Sequence, residues 1–299
     1  MKIEKILQQI GIEIFGITDM PPEQYLIPCR AKSRLPKDAK SVIIAAFPYF
    51  SSELKGNISK YAMVEDYHKV VGAYLEKAVN QLHQSMPGIY VWFTDNSPIP
   101  EVYTAARAGL GVIGKNGLLI HRQYGSYVFL GEIVTNQKLD TNNIPLQSCD
   151  NCGCCQSNCP TQARNNDKFE QQRCLSYVTQ CKREPSPEMA EKIQNNGLIW
   201  GCDVCQDCCP LNQNIAQTPI AEFQTNIIGE IYPEELEELV QTRAFGFRGI
   251  KVLQRNIRMI QEKNGNNAIR KTSFEKNKNK EDDCHAGKRY HDTKYTRNS

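Results

Sequence analysis

The chain has 299 residues, enough for one large or two ordinary domains, and 40% of them are hydrophobic, enough to form a buried core. Its longest strongly apolar stretch, residues 42–47, is far shorter than the roughly 20 residues that a membrane-spanning helix needs, so we expect no membrane segment and a cytoplasmic protein. The formal net charge is +3, but residues 264–299 contribute nine basic and five acidic side chains, which leaves the rest at −1. The main body therefore lacks the overall basic excess of a typical nucleic-acid-binding domain.

The first half of the chain alternates between patterns typical of helices and of strands. Residues 2–10 place aliphatic side chains on one helical face, and residues 41–49 form an apolar run typical of a buried strand. In chain order we predict a helix at 2–11, strands at 14–18 and 41–49, a helix at 65–83, a strand at 89–94, a helix at 100–110 and a strand at 127–135. This alternation predicts an α/β fold in which helices cover a sheet.

The character of the sequence changes near residue 136. Residues 149–210 are rich in cysteine and in turn-forming residues and lack long apolar runs, so bound clusters would replace much of a core there. Two short helices are predicted after them, at 233–240 and 249–261. We therefore predict an N-terminal α/β sheet domain over 1–145, a ferredoxin-like double [4Fe-4S] cluster domain with closing helices over 146–263, and a disordered polar tail over 264–299.

The cysteines indicate metal clusters rather than disulfides. Eleven of the thirteen lie between Cys149 and Cys209, the exceptions being Cys29 and Cys284. Disulfide frameworks are typical of short secreted domains, whereas this chain is long and its first residues lack the apolar core of a signal peptide.

The first cysteine motif has the spacing of bacterial ferredoxins. Cys149, Cys152, Cys155 and Cys159, followed by Pro160, form C-x2-C-x2-C-x3-C-P. In that arrangement the first three thiolates bind one cubane and the fourth binds the other cluster, because three thiolates on one short loop reach only three corners of a cube. A second motif must supply the remaining corner.

That second motif is present at residues 202–210, which read C-x2-C-x3-C-P. Cys202 and Cys205 would bind the second cluster together with Cys159, while Cys209 returns to the first cluster. The first cluster then has four ligands: Cys149, Cys152, Cys155 and Cys209. The second cluster lacks one ligand, for which three candidates remain: Cys174, Cys181 and Cys208.

Zinc is the main alternative to two cubanes. Zinc sites with four cysteine ligands also use C-x2-C pairs, but the Cys-Pro closure after three residues in both motifs indicates cubanes. Cys154, which neighbours a ligand, is then a spare thiol. Two clusters with interleaved ligands form a one-electron conduit, so the N-terminal half should contain the site that receives the electrons.

Residues 94–120 form the most unusual segment of the N-terminal half. Asp95 ends a predicted strand, a proline-containing turn and a helix follow, and four glycines surround Lys115 and Asn116. Glycines at this density allow the backbone to approach a large ligand, although their spacing matches neither a dinucleotide-binding fingerprint nor a P-loop. Asp95 is well placed for chemistry at the end of a strand, and capping of the turn is the alternative role.

The sequence resembles the epoxyqueuosine reductase family, which is related to the corrinoid reductive dehalogenases, from about residue 41 to residue 212. Besides the two cysteine motifs, the resemblance rests on SVIIAAFPY (41–49), DYHKV (66–70), TDNSP (94–98), RAGLGVIGKNGLLI (107–120), YVFLGEIVT (127–135), RCLSYVTQ (173–180) and GCDVCQDCCPLN (201–212). The cysteine motifs alone are widespread, but their combination with RAGLG-x-IGKN and GCD-x-CQ-x-x-CP is specific.

The resemblance implies a base-off cobalamin on the N-terminal domain, beside the two [4Fe-4S] clusters. Reduced cobalt would deliver electrons to the epoxide of epoxyqueuosine in tRNA, and queuosine would be the product. Asp95 matches the family's proton donor, and an alkoxide leaving from an opened epoxide needs such an acid. Cys174, within RCLSY, matches the family's remaining ligand of the second cluster.

The resemblance also provides four candidate corrinoid contacts: Asp66, His68, Lys115 and Asn116. Among them, His68 is interpreted as a pocket or helix-surface residue rather than as an axial ligand of cobalt. Two departures from the family stand out. Val102 occupies a position where the family usually has an arginine, and helical repeats that help full-length members to hold tRNA are not expected here.

Three functions follow from these patterns. The leading one is an iron–sulfur and cobalamin-dependent reductase that converts epoxyqueuosine to queuosine in tRNA. The alternatives are a corrinoid iron–sulfur reductase of a small molecule and a non-catalytic electron carrier or activator for a partner enzyme. The sequence contains no nicotinamide or flavin fingerprint, so an external ferredoxin or flavodoxin is expected to supply the electrons.

Overall fold

The computed structural model describes residues 2–51, 56–165 and 168–264. The tail predicted over 264–299 lies outside these residues, except for Asn264, which ends the last helix. Across the described ranges, no helix combines the length and the apolar character needed to cross a membrane.

The N-terminal half contains every helix and strand that its sequence predicts. The helices of its described residues are α1 (Lys2–Ile10), α2 (Lys60–Met63), α3 (Tyr67–Ser85) and α4 (Glu101–Arg107). The strands are β1 (Phe15–Asp19), β2 (Ser41–Pro48), β3 (Tyr90–Phe93), β4 (Val112–Ile113), β5 (Leu119–Ile120) and β6 (Val128–Thr135). The short elements α2, β4 and β5 have too few residues to give a periodic pattern, and for this reason the sequence did not predict them.

Four of these strands form one sheet in the order β1-β2-β6-β3, and each neighbouring pair is antiparallel. The predicted combination of helices with a sheet is confirmed, and the strand directions, which the prediction left open, are antiparallel. β2 and β6 form the centre, pairing from Ser41 opposite Thr135 to Pro48 opposite Val128. β3 is an edge strand of this sheet, so the chain leaves the edge immediately before Asp95.

Helices cover both faces of the sheet. All residues of β2 are buried, and alternate side chains belong to two different core clusters. Ile43, Ala45 and Phe47 pack with α1 and α3, whereas Val42, Ile44 and Ala46 pack on the opposite face with α4. Because successive side chains of a strand point to opposite faces, a strand covered on both sides has an uninterrupted apolar sequence.

The cysteine-rich segment folds into short elements. They are the helices α5 (Cys154–Ser157), α6 (Leu175–Val178), α7 (Pro187–Asn196) and α8 (Val204–Asp207), and the hairpin strands β7 (Arg164–Asn165) and β8 (Lys168–Phe169). Each cysteine motif contains one single-turn helix, α5 or α8, and these two helices contact each other. The longest helix, α7, starts after Ser186, whose hydroxyl accepts the Met189 N–H, and ends before Gly197 at φ +76°.

The predicted closing helices are present as α9 (Leu236–Thr242) and α10 (Ile250–Asn264), joined by a short helical turn at Ala244–Arg248. Both pack with Trp200 in a core cluster that also contains Ile58, Ala62 and Met63 from the N-terminal half. In the other direction, Ile220 and Phe223 from the second half of the chain belong to the core cluster that α1 and α3 form with the sheet. The two predicted domains therefore share packing, and their boundary near residue 145 stays a prediction.

Candidate cluster and active site

The predicted ligands of the first cluster lie together. Burial raises the pKa of the Cys155 thiol, and the nearby thiols of Cys149 and Cys152 raise it further. A hydrogen bond with Cys152 is the main cause of the raised pKa of Cys154, and the neighbouring Cys209 thiol adds to it. The fold thus brings Cys209 of the second motif to the three cysteines of the first.

The other four predicted ligands form a second group. Burial raises the pKa of the Cys174 thiol, and Cys159 adds to the rise. Burial likewise raises the pKa of Cys202 to about 12, with contributions from Cys174 and Cys159. Burial and the thiols of Cys174 and Cys202 also raise the pKa of Cys205 well above its ordinary value. Because clusters bind thiolates, loading this group with iron must release protons.

Cys208 and Cys181, the other candidates for the fourth ligand, lie outside the second group. Burial raises the pKa of Cys208 to about 11, and the thiols that add to the rise are those of Cys155, Cys154 and Cys209. Cys208 is therefore on the side of the first group. Cys181 is not among the described residues that line the cavity beside the second group, and its carbonyl accepts a hydrogen bond from Arg255 at 2.6 Å.

The loop of the first motif turns through two residues in the left-handed region, Asn151 at φ +55° and Gly153 at φ +78°. Lys115 holds this loop, because its backbone N–H donates to the Cys149 sulfur at 3.3 Å and its Nζ donates to Asn151 Oδ1 at 2.8 Å. Lys115 is not among the described residues that line the cavity beside the second cysteine group. The predicted corrinoid contact of Lys115 stays a prediction, and the contacts described here join Lys115 to the first cluster loop.

Cys159 lies among polar groups. Burial raises its pKa, but N–H groups of Thr161, Ala163 and Arg164 and the Thr161 hydroxyl, 3.6 Å from the sulfur, lower it further than burial raises it. The net effect favours the thiolate. Hydrogen bonds to cluster sulfurs are one of the means by which proteins adjust cluster potentials.

Asp95 lies in a constrained turn at the edge of the sheet. Its backbone adopts φ +62°, and the Ser97 N–H donates to the Asp95 carbonyl at 2.8 Å. The Ser97 hydroxyl donates to the buried carboxylate of Glu132 in β6, which ties the turn to the centre of the sheet. A non-glycine residue in the left-handed region is costly unless its surroundings fix it, and such residues often occur at functional sites.

His68 connects Asp95 to the start of α3. Asp66 caps that helix by accepting the His68 N–H at 3.0 Å. The imidazole Nδ1 lies 2.7 Å from Asp66 Oδ1, and Nε2 lies 3.4 Å from Asp95 Oδ2. Burial lowers the pKa of His68, but the two carboxylates outweigh it and raise the pKa to about 9. His68 is therefore an imidazolium at neutral pH, with a proton on each nitrogen.

A single large cavity joins the second cysteine group to Asp95. It measures about 1340 Å³ with its open mouth included. His68, Asn116 and Asp95 line it, whereas Asp66 contributes through its contact with His68. Aromatic side chains form much of the remaining wall: Tyr49, Tyr61, Tyr67, Phe129, Phe169, Tyr177 and Phe247.

Two arginines near this cavity are not among the residues predicted from the sequence. Arg164 lines it beside the thiols. Arg248 is 9% exposed, and its Nε and Nη2 have no hydrogen-bond partner among the described residues. Burial lowers the pKa of Arg248, and the nearby Tyr177, Asp95 and Tyr61 partly offset that effect. No local motif marks either arginine, because their positions depend on tertiary packing.

Two known protein families match separate segments of the chain. The family model for epoxyqueuosine reductase QueG, DUF1730, matches residues 30–96, and that for a 4Fe-4S double cluster binding domain matches residues 148–212. An epoxyqueuosine reductase from Synechocystis is 40% identical over 207 residues, which cover 66% of this chain and 71% of the relative.

The chain belongs to the epoxyqueuosine reductase family. The members of this family are oxidoreductases, and the double cluster match identifies residues 148–212 as an iron–sulfur domain. Another member, from Lactococcus garvieae, is 37% identical over 60% of this chain, which spans only 54% of that relative.

Solved structures of family members have the same fold. An epoxyqueuosine reductase bound to an epoxyqueuosine-modified tRNA stem loop superposes with a TM-score of 0.75 at 25% identity, covering 87% of this chain and 80% of the other. The Bacillus subtilis enzyme, with its catalytic aspartate loop swung out of the active site, gives a TM-score of 0.73 at 25% identity and the same coverage.

Proposed function

We propose that this protein reduces epoxyqueuosine to queuosine in tRNA, with two [4Fe-4S] clusters and a cobalamin as cofactors. The observation that carries the proposal is the single cavity in which Asp95, bonded to a protonated His68, faces the second cysteine group. An acid and an electron source on one cavity are what a reductive ring opening requires.

The two cysteine groups are suited to the two clusters. The first cluster would be bound by Cys149, Cys152, Cys155 and Cys209. The second would be bound by Cys159, Cys174, Cys202 and Cys205, all of which line the cavity. The proximity of Cys174 to Cys159, Cys202 and Cys205 supports its choice over Cys208.

The cavity has an aromatic wall suited to the flat, largely apolar face of a corrin ring. His68 and Asn116 would contact the cobalamin from the side of the sheet, and Tyr67, whose ring is 4.0 Å from that of His68, would support it. When bound, cobalamin supplies a reduced cobalt able to open an epoxide. The remaining chemistry, which concerns protons and positioning, falls to the side chains of this protein.

Loss of the epoxide oxygen as water consumes two electrons and two protons. Each cluster carries one electron at a time, so a domain in which both clusters are reduced holds the two electrons that the reaction needs. The proton that the opened epoxide oxygen needs would pass from the His68 imidazolium to the Asp95 carboxylate, 3.4 Å away, and from Asp95 to the oxygen. Electrons would come from an external ferredoxin or flavodoxin, and a tRNA substrate places the reaction in the cytoplasm.

The proposal is tested by single-turnover reduction of epoxyqueuosine-containing tRNA by the reduced, cobalamin-loaded protein. Conversion to queuosine supports it. Cobalamin binding without conversion would favour a corrinoid reductase of a small molecule, and the absence of cobalamin binding would favour an electron carrier.

The role of Asp95 is tested by Asp95→Asn in the same assay. The amide retains the shape of the side chain but has no acidic proton, so the single-turnover rate should fall about 10²–10⁴-fold while cobalamin and both clusters stay bound. A near-normal rate would leave Asp95 as a turn residue, and loss of cobalamin would make it a binding residue.

A further inference from the structure

Arg164 lines the cavity together with cysteines of both groups. It is the first residue of strand β7, which follows the first motif, and Cys155 of the first group and Cys174 and Cys205 of the second line the same cavity. Its backbone N–H donates to the Cys159 sulfur. Arg164 is thus held next to Cys159, the ligand from the first motif that belongs to the second group.

The β7–β8 hairpin holds the Arg164 side chain in place. Arg164 pairs with Phe169 across the hairpin, and its guanidinium lies over the Phe169 ring, 4.5 Å from the centroid. Phe169 also lines the cavity, so the stacked pair forms one part of its wall. A guanidinium held on an aromatic face loses little further freedom when it faces an anion.

The charge of Arg164 reaches both groups. Cys155 of the first group and Cys174 and Cys205 of the second line the same cavity as Phe169, and the Arg164 guanidinium lies over the Phe169 ring. With clusters bound, the four thiolates of each site outweigh the positive charge of its iron–sulfur core, and reduction adds one further negative charge. A nearby fixed cation therefore favours the reduced state of either cluster.

We propose that the positive charge of Arg164 acts on both clusters and raises the reduction potential of each. The proposal rests on the cluster ligands and not on the identity of the substrate. Arg164 makes both clusters easier to reduce by an external donor, so that two electrons can be held beside the cavity before the substrate reacts.

The test is a redox titration of the cluster-loaded protein followed by electron paramagnetic resonance. Arg164→Gln removes the charge and keeps most of the side-chain length, so the midpoint potentials of both clusters should become more negative. Arg164→Lys retains the charge and should keep both potentials close to those of the unchanged protein. Lys168→Gln is the matched control, because it removes one positive charge from an exposed position of the same hairpin, where water and salt screen it.

The outcomes separate the possible roles of Arg164. A shift of both potentials in Arg164→Gln, absent in Arg164→Lys and in Lys168→Gln, supports the proposal. Unchanged potentials, a shift of one cluster only, or a shift equal to that of Lys168→Gln overturns it. If Arg164→Gln loses a cluster, the Arg164→Lys variant decides between the two roles. Arg164→Lys protein that retains both clusters at their original potentials supports the proposal. Arg164→Lys protein that also loses a cluster shows that Arg164 has a structural role and overturns the proposal. These measurements require no turnover, so they stand even if epoxyqueuosine is not the substrate.

Discussion

His68 is held between two carboxylates, and this position determines its charge. An ordinary histidine has a pKa of 6.5, whereas His68 has a pKa of about 9, because Asp66 and Asp95 outweigh the opposing effect of burial. The raised pKa means that the imidazolium is present below about pH 9 and is lost as the pH rises through that value. Two further cations interact with these carboxylates: Arg248 with Asp95 and Lys69 with Asp66.

The proposed proton supply therefore has a defined pH dependence. We expect the single-turnover rate to be constant from neutral pH upward and to fall as the pH passes about 9, when His68 loses its proton. His68→Gln should be slower at neutral pH and should lack this fall. His83→Gln, at an exposed position of the same helix α3, is the control and should keep the original profile. If the rate of His68→Gln still falls near pH 9, a group other than His68 causes the fall.

Some of these residues were accessible from the sequence and others were not. Cysteine spacing is informative because a cubane constrains the loop that binds it, so Cys149, Cys152 and Cys155 could be recognised from a few neighbouring residues. The link from Asp66 through His68 to Asp95 joins the start of a helix to a turn 27 residues further along the chain. Such a link depends on the packing of α3 against the sheet and leaves no local pattern.

At the scale of elements, hydrophobic periodicity predicted the long helices and strands. It was sufficient for β2, whose apolar run follows from burial on both faces, and for α3, whose buried residues repeat at helical spacing. The order β1-β2-β6-β3 could not be derived, because β6 inserts between β2 and β3 and pairs with strands that precede it in the chain. Strand order reflects contacts between distant segments, which periodicity does not encode.

The segment before α2 docks on the second cysteine motif. The Ser59 N–H donates to the Trp200 carbonyl at 2.8 Å, and the buried Asp203 carboxylate accepts hydrogen bonds from the Ser59 hydroxyl and from the Lys60 N–H at 2.7 Å. Gly201 makes this approach possible. It adopts φ +76°, and a Cβ added there would lie 2.3 Å from the Ser59 Cβ.

Because of this contact, we expect alanine to lower the free energy of unfolding by different amounts at two glycines that share the same backbone conformation. Gly197 also has φ +76°, but no atom lies within 4 Å of an added Cβ. Gly197→Ala should therefore lower the free energy of unfolding by about 1–2 kcal/mol, the cost of a left-handed alanine. Gly201→Ala should cost a further 1–3 kcal/mol or so, because Ser59 must move. Thermal unfolding of the cluster-loaded proteins measures both, and equal losses would show that the contact at Ser59 relaxes freely.

At the scale of the whole molecule, the cofactor sites depend on segments far apart in the chain. The first group takes Cys209 from the second motif, and the second group takes Cys159 from the first motif and Cys174 from the segment between them. The cavity combines Cys159 and Cys174 with Asp95 from the turn after β3 and Phe247 from the turn before α10. Cluster content therefore reports whether the whole described fold has assembled.

The final prediction concerns that content. Protein prepared without oxygen should contain about eight irons and eight sulfides per chain, four of each per cubane. Cys174→Ala should remove or convert one cluster, because Cys174 neighbours the other three thiols of the second group. Cys208→Ala is the matched control and should keep both clusters, since its neighbours are thiols of the first group. Iron and sulfide analysis measures each variant. The opposite pattern would transfer the ligand role to Cys208, and stoichiometric zinc without acid-labile sulfide would contradict the cubanes themselves.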